Sequence, residues 1–332
     1  MLRGRIELPR LESRLLEGNP LGDPSEREAL VYLPPSYDGR RRFPVVMVLP
    51  PYGAGHRSLL SFRLWEPTLF ERYERLVAAG ASREAILVVP DALTRWGGSQ
   101  FLDSTATGPY QSYLVDEVLP FVDGAYRTIP ERAGRAVVGR SSGGFGALRL
   151  GLDRPEAFLA YGSHAGDAAF ELSLRPLLVP TAIAIEQAGG LIAFGERVGR
   201  EGPGRGEFEA VMTLACAAAY APAPERGWPF VELPFALRTA ALDPEAWARW
   251  TAHDPLTRLG AEPAALGEAA LVFLDAGDRD EHGLQFAARA LADALAGRGV
   301  PVEHEEFPGG HRGTSHRYEA SLPRLIAALA AG

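Results

Sequence analysis

Arg135-Ala136-Val137-Val138-Gly139-Arg140-Ser141-Ser142-Gly143-Gly144-Phe145-Gly146-Ala147-Leu148 carries a short apolar strand through G-x-S-x-G into a run of small residues suited to a helix. This is the layout of a nucleophile elbow, in which a serine occupies a strained turn with its hydroxyl clear of the backbone. Gly139 and Gly143 flank Ser141 where a Cβ would keep strand and helix from passing closely. The helix then points its unpaired N–H groups at the serine. G-x-S-x-G strings are common in glycine-rich loops, and the chain has 37 glycines. The strand before and the helix after single this copy out.

Outward from the elbow, runs with Val, Leu, Ile and aromatics, bounded by Pro, Gly and Asp, recur at 29–33, 45–49, 85–89, 136–138, 158–162, 270–274 and 302–307, and read as strands. Helical spacing separates several of them, as in Leu284, Ala288, Leu291 and Leu295, and in Leu322, Ile326 and Leu329. Such alternation predicts an α/β fold: a mostly parallel sheet with helices on both faces and functional residues in the loops beyond the strands' C-terminal ends. The rhythm fails from about 168 to 253, where Pro, Gly and the aromatics Phe208, Tyr220, Trp228, Phe230, Phe235, Trp247 and Trp250 gather. The chain is therefore read as a core in two parts, 1–167 and 254–332, with an inserted cap or lid over 168–253. Its aromatics either wall the pocket or pack the insertion onto the body.

The composition, 332 residues with 46% hydrophobic and 23% charged, supports a large core. A formal net charge of −8 without a basic stripe argues against nucleic acid, and Arg40-Arg41-Arg42 reads as a solvated turn. Every basic side chain is arginine, which excludes Schiff-base and P-loop lysine chemistry. Cys216 has no cysteine partner, so neither a disulfide framework nor a thiolate metal site is expected. The N-terminal residues lack a signal-like apolar stretch and no uncharged run is long enough to span a membrane, so a soluble cytoplasmic protein without a membrane partner is expected.

A serine at neutral pH needs a histidine to take its proton and a carboxylate to orient that histidine. In the α/β-hydrolase arrangement the chain order is Ser, acid, His, with the acid after the penultimate strand and the histidine after the last. Here 270–274 leads into Asp275-Ala276-Gly277-Asp278-Arg279-Asp280-Glu281, and 302–307 into Pro308-Gly309-Gly310-His311. His311 is the candidate base, with His316 as its rival five residues on. Asp280 is the favoured acid, Asp278 stays open, and Asp275 reads as structural. An oxyanion hole takes one N–H from the residue after the nucleophile, Ser142, and one from the loop Pro50-Pro51-Tyr52-Gly53-Ala54-Gly55. Proline has no N–H, which leaves Tyr52.

With these residues the chain resembles the "putative esterase" (esterase D-like) family of α/β-hydrolases. The resemblance rests on Val31-Tyr32-Leu33-Pro34-Pro35-Ser36-Tyr37, the Tyr52-Gly53-Ala54-Gly55 turn, Pro109-Tyr110 leading into Glu117-Val118-Leu119-Pro120-Phe121-Val122-Asp123, the elbow, Gly277-x-x-Asp280 and Gly310-His311. It implies Ser141 as nucleophile, Asp280 as acid, His311 as base and backbone donors at Tyr52 and Ser142. The family often has His-Gly where this chain has Pro50-Pro51, and its small members have a shorter insertion after Gly166. The expected activity is cofactor-free serine esterase chemistry on a small-molecule ester, with acyl transfer or non-catalytic binding as alternatives. The ester and the oligomeric state are left open.

His164, Asp167 and Gln100 are further candidates for the pocket wall, and Asp103 beside Gln100 is another, with loop hydrogen bonding as the plainer role. His164, Asp167 and Glu171 at i, i+3, i+7 would share one side of a helix, but polar lining is preferred to metal there, and no metal is expected.

Overall fold

A computed structural model describes residues 2–60, 65–262 and 266–331. Its strands are β1 (Arg5–Glu7), β2 (Arg10–Glu12), β3 (Glu26–Leu33), β4 (Val45–Leu49), β5 (Ile86–Pro90), β6 (Asp103–Ser104), β7 (Gly108–Pro109), β8 (Arg135–Arg140), β9 (Ala160–His164), β10 (Leu271–Gly277) and β11 (Val302–Phe307). Its helices are α1 (Leu69–Ala78), α2 (Tyr110–Ser112), α3 (Leu119–Ala125), α4 (Ser142–Asp153), α5 (Phe170–Ser173), α6 (Leu178–Gln187), α7 (Leu191–Glu201), α8 (Phe208–Tyr220), α9 (Pro244–Thr251), α10 (Pro255–Ala261), α11 (Leu284–Ala296) and α12 (Tyr318–Ala327). A π-helical stretch, Tyr113–Val118, joins α2 to α3.

The main sheet runs β1-β3-β5-β4-β8-β9-β10-β11, with β2 also on β3. From β5 to β11 every pairing is parallel, while β1, β2 and β5 meet β3 antiparallel. The period of two sorts the apolar residues onto opposite faces. Val45, Met47 and Leu49 of β4 join one core with Val137 of β8, Leu148 of α4 and Leu291 of α11. Val46 and Val48 join another with Phe70 of α1 and Leu325 of α12. Both faces are covered, so the central strands are fully buried.

The structure extends several of the strands read from the sequence, two of them in ways that bear on the site. β9 continues to His164 and β10 to Gly277, which makes His164 and Asp275 strand residues rather than loop residues. Chain polarity does not stop a parallel strand whose flanking polar groups find buried partners. β1 and β2 escape the sequence reading because strands of three residues, each with two charged side chains, leave almost no periodicity.

Residues 168–253 form a helical layer around their own core of Phe170, Leu214, Tyr220 and Trp250, which also receives Phe145 of α4. Tyr220 packs against Phe145, Phe170 and Trp250 at ring-centre distances of 5.7, 5.2 and 5.4 Å, pinning this layer to the helix behind the elbow. Of the seven aromatics, Phe208 shares a cavity with Ser141, whereas Tyr220, Phe235, Trp247 and Trp250 are buried in the layer's core. Cys216 is buried within α8. Among the described residues no single helix is long and apolar enough to cross a membrane.

Candidate active site

Ser141 sits between β8 and α4 with φ 56° and ψ −123°, a left-handed conformation costly for any residue with a Cβ. The surroundings hold it there. Its N–H donates to His164 O at 2.8 Å, and its carbonyl accepts from Phe145 N at 2.9 Å as α4 begins. A Cβ on Gly139 would run into the Gly143 backbone, and one on Gly143 into Leu49 O and Pro50 O. The glycines therefore press β8, α4 and the loop after β4 into direct backbone contact.

Three loops at one end of the sheet meet above this turn. Nε2 of His311 lies 3.0 Å from Ser141 Oγ, and Nδ1 lies 2.9 Å from Asp280 Oδ2. Nδ1–H donating to the carboxylate leaves Nε2 free to accept the serine proton, a tautomer inferred from the partners. Asp280 is 5% exposed, and its other oxygen accepts from His282 N at 2.9 Å. Burial alone would raise its pKa, but the hydrogen bond and charge of His311, with the His282 N–H, outweigh it and hold the carboxyl below its usual range. Asp278 points to solvent, where it accepts from Gly309 N at 2.9 Å. The structure thus brings together Ser141, His311 and Asp280 and leaves Asp278 outside. His316 is exposed, with Nδ1 on Gly313 O.

The loop after β4 lies against the same turn. The Tyr52 hydroxyl donates to Trp96 O at 2.6 Å, Gly53 N donates to Gly97 O at 2.9 Å, and the Tyr52 ring meets Phe208 edge-on. Ser142 opens α4, so its N–H is among those a first helical turn leaves without an intrahelical acceptor. Pro51, Tyr52, Ser141 and His311 line one cavity of about 570 Å³ that continues beneath the insertion to Asp167, Ser173, Glu209 and Met212.

Of the other pocket candidates, Asp167 lines this cavity, whereas His164 and Gln100 do not. His164 is buried beside α12, with Nδ1 2.8 Å from Asp275 Oδ1 and Nε2 2.8 Å from Ser321 Oγ. Asp275 also pairs with Arg317 at 2.7 Å, so the group ties β9 and β10 to α12. This corrects the expectation for His164: as the last residue of β9, its side chain follows the strand alternation away from the cavity. Gln100 is 1% exposed with φ 53° and faces the Tyr220 hydroxyl, inside the layer rather than on the pocket wall. Asp103 accepts from Ser112 N and Oγ at 2.9 and 2.6 Å. Glu171 turns outward to Arg175 and to the Trp247 indole. His164, Asp167 and Glu171 therefore diverge, and among the described residues no group of three or more His, Cys, Asp or Glu is placed to hold a metal.

Sequence reasoning missed the residues that steer His311. Glu281 Oε2 accepts from His311 N at 2.7 Å, Arg140 reaches His311 O and Thr314 Oγ1 at 3.4 and 3.3 Å, and the His282 ring stands edge-on to the His311 ring. The one available signal was position, since each adjoins or neighbours a candidate residue.

A family model described as "Putative esterase" matches residues 24–329. Two esterases of Mycobacterium tuberculosis, Esterase MT1326 (strain CDC 1551 / Oshkosh) and Esterase Rv1288 (strain ATCC 25618 / H37Rv), are each 31% identical over 90 residues, 27% of this chain and 20% of theirs. The match thus spans about a fifth of the length of these relatives. A ferulic acid esterase superposes with TM-score 0.63 at 20% identity, over 99% of this chain and 100% of that one. An S-formylglutathione hydrolase from Agrobacterium tumefaciens gives 0.62 at 15% identity, over 99% and 97%. At these identities the superpositions establish the fold, that of the α/β-hydrolases.

Proposed function

The chain belongs to this esterase family, and on that premise we propose that it is a serine carboxylic-ester hydrolase acting through an acyl-enzyme. The observation that carries the reading is the continuous Ser141–His311–Asp280 hydrogen-bonded line, open to a cavity at its serine end.

Ser141 Oγ attacks the ester carbonyl carbon and passes its proton to His311 Nε2. The tetrahedral oxyanion is held by the N–H groups of Tyr52 and Ser142. Collapse breaks the bond to the alcohol oxygen, which takes the proton from His311 and leaves. Water, deprotonated by the same imidazole, then attacks the acyl carbon and releases the acid, restoring Ser141. Throughout, ionised Asp280 keeps the Nδ1 proton in place and stabilises the transient imidazolium. Cap-side residues Phe208 and Met212 offer the substrate an apolar wall.

Ser141→Ala tests the reading. Hydrolysis of p-nitrophenyl acetate by the purified variant is expected to fall about 10⁴-fold or more with the circular dichroism unchanged, and a fluorophosphonate is expected to label the wild type alone. A variant that keeps wild-type turnover overturns the assignment.

A further inference from the structure

The far wall of the Ser141 cavity carries two carboxyl groups that the reaction does not use. Asp167 follows β9, and Glu209 stands in the first turn of α8 beside Phe208. Among the described residues neither takes part in an ion pair. Their sequence neighbours do: Glu171 pairs with Arg175 at 2.5 Å and Glu207 with Arg197 at 2.7 Å. The arginines lining the same cavity, Arg140 at the end of β8 and Arg312 in the loop after β11, adjoin Ser141 and His311 in the chain.

Asp167 is partly buried and opens onto the cavity. The Ser173 hydroxyl, itself buried, and the His282 and His311 rings line the same cavity, and Asp280, the Cys216 and Tyr220 side chains of α8, and Asp254 are the other titratable groups near enough to act on the Asp167 charge. None is a permanent cation. Burial accordingly pushes the Asp167 carboxyl above its usual range. A partly buried carboxyl without a counter-ion ionises less readily than a free one, and a cation delivered into the cavity restores its charge and forms a charge-assisted hydrogen bond.

We propose that the cap-side half of this cavity is a subsite for a cationic group, so that favoured esters carry an ammonium on the part lying beneath the insertion, with Asp167 as its counter-ion and Glu209 as a second carboxylate. The proposal rests on the esterase reading of Ser141, and its test is independent of turnover. The methylenes between ammonium and ester lie against Phe208, Met212 and Leu284.

The test compares n-butylammonium with methyl propyl ether, a neutral molecule with the same number of heavy atoms, by protein-observed NMR titration of the full chain. Butylammonium is expected to bind about tenfold tighter at neutral pH, the size of a partly buried charge-assisted contact, with the advantage shrinking as acid protonates Asp167. Asp167→Asn is expected to abolish most of the ratio and Glu209→Gln to reduce it about threefold; if the first variant fails to fold, the second and the pH dependence decide. Equal binding of the two probes to wild type, or an unchanged ratio in these variants, overturns the subsite. Asp167-dependent ammonium binding by a protein that hydrolyses no ester would instead leave the subsite standing and remove the esterase reading.

Discussion

His311 Nε2 stands 3.0 Å from Ser141 Oγ although 170 residues separate them and their strands, β11 and β8, are not neighbours. With β9 and β10 between, the loop after β11 must fold back across the sheet's end to bring its imidazole home. A Cβ on Gly277 would collide with Gly309 O and come close to Gly310 O, so a glycine at the end of β10 lets that loop cross at backbone contact. Asp278 then holds Gly309 N, Glu281 holds His311 N, and Arg140 meets His311 O.

Asp280 and Asp278 share this loop but not its chemistry. In Asp280→Asn the one remaining oxygen serves the His282 N–H and the amide NH2 faces His311 Nδ1, which favours the wrong tautomer, so kcat is expected to fall about 10³- to 10⁴-fold. Asp278→Asn keeps an oxygen for Gly309 N at an exposed position and is expected to stay within a few-fold of wild type. Reversed effects on p-nitrophenyl acetate turnover would reassign the acid.

Glu281 acts on His311 through the backbone and touches no reacting atom. Glu281→Ala is expected to lower kcat about tenfold, with KM within about threefold, because the imidazole loses its aim while the cavity keeps its walls. Glu281→Gln retains an acceptor for His311 N and is expected to recover most of the rate. Equal losses in both variants would point to the charge instead of the hydrogen bond.

Much of this site was legible because Ser141 and Asp280 follow closely on apolar runs, His311 follows a strand closed by Pro308 and Gly309, and chain order suggests the role of each. The clamps on His311 were not, since Glu281 and Arg140 matter only through the path of a loop folding over two strands. The insertion hid its helices for a different reason. α8 is buried on nearly every face, so no polar stripe sets off an apolar one, and the 3.6-residue period is lost. The side-chain direction of His164 is hidden because the polar residues Ser163 and His164 carry no apolar signal that β9 continues through them, and a strand residue alternates where a loop residue need not.

Gly143 offers a sharper probe of the elbow than the serine itself. In Gly143→Ala the new Cβ meets the backbone oxygens of Leu49 and Pro50, neither of which is a side chain that can swing away. The loop carrying Tyr52 must retreat, and kcat is expected to fall at least 100-fold, the scale of losing one oxyanion donor, with Tm lowered as well. Gly124→Ala in α3 is the control. Its Cβ meets nothing within 4 Å, and it is expected to be neutral or to stabilise by up to about 1 kcal/mol.

Asp254 makes acid stabilise one joint of the fold. It is 4% exposed and accepts from Phe170 N at 2.8 Å and Leu256 N at 2.9 Å, joining the starts of α5 and α10. Burial raises its pKa from 3.8 to about 6, because the N–H groups that favour the ionised form compensate only in part. A carboxyl whose pKa is higher folded than unfolded binds its proton more tightly in the native state. Its contribution is therefore constant below about pH 4, falls as pH rises to about 6, and levels off above, a change on the order of 3 kcal/mol from two pKa units. Asp254→Asn does not titrate and loses one of the two acceptors, so the variant is less stable throughout. The Tm difference between wild type and Asp254→Asn is expected to be several degrees larger at pH 4 than at pH 7. A difference that is constant across this range, or larger at pH 7, would show that the native carboxyl ionises at least as readily as it does in the unfolded chain.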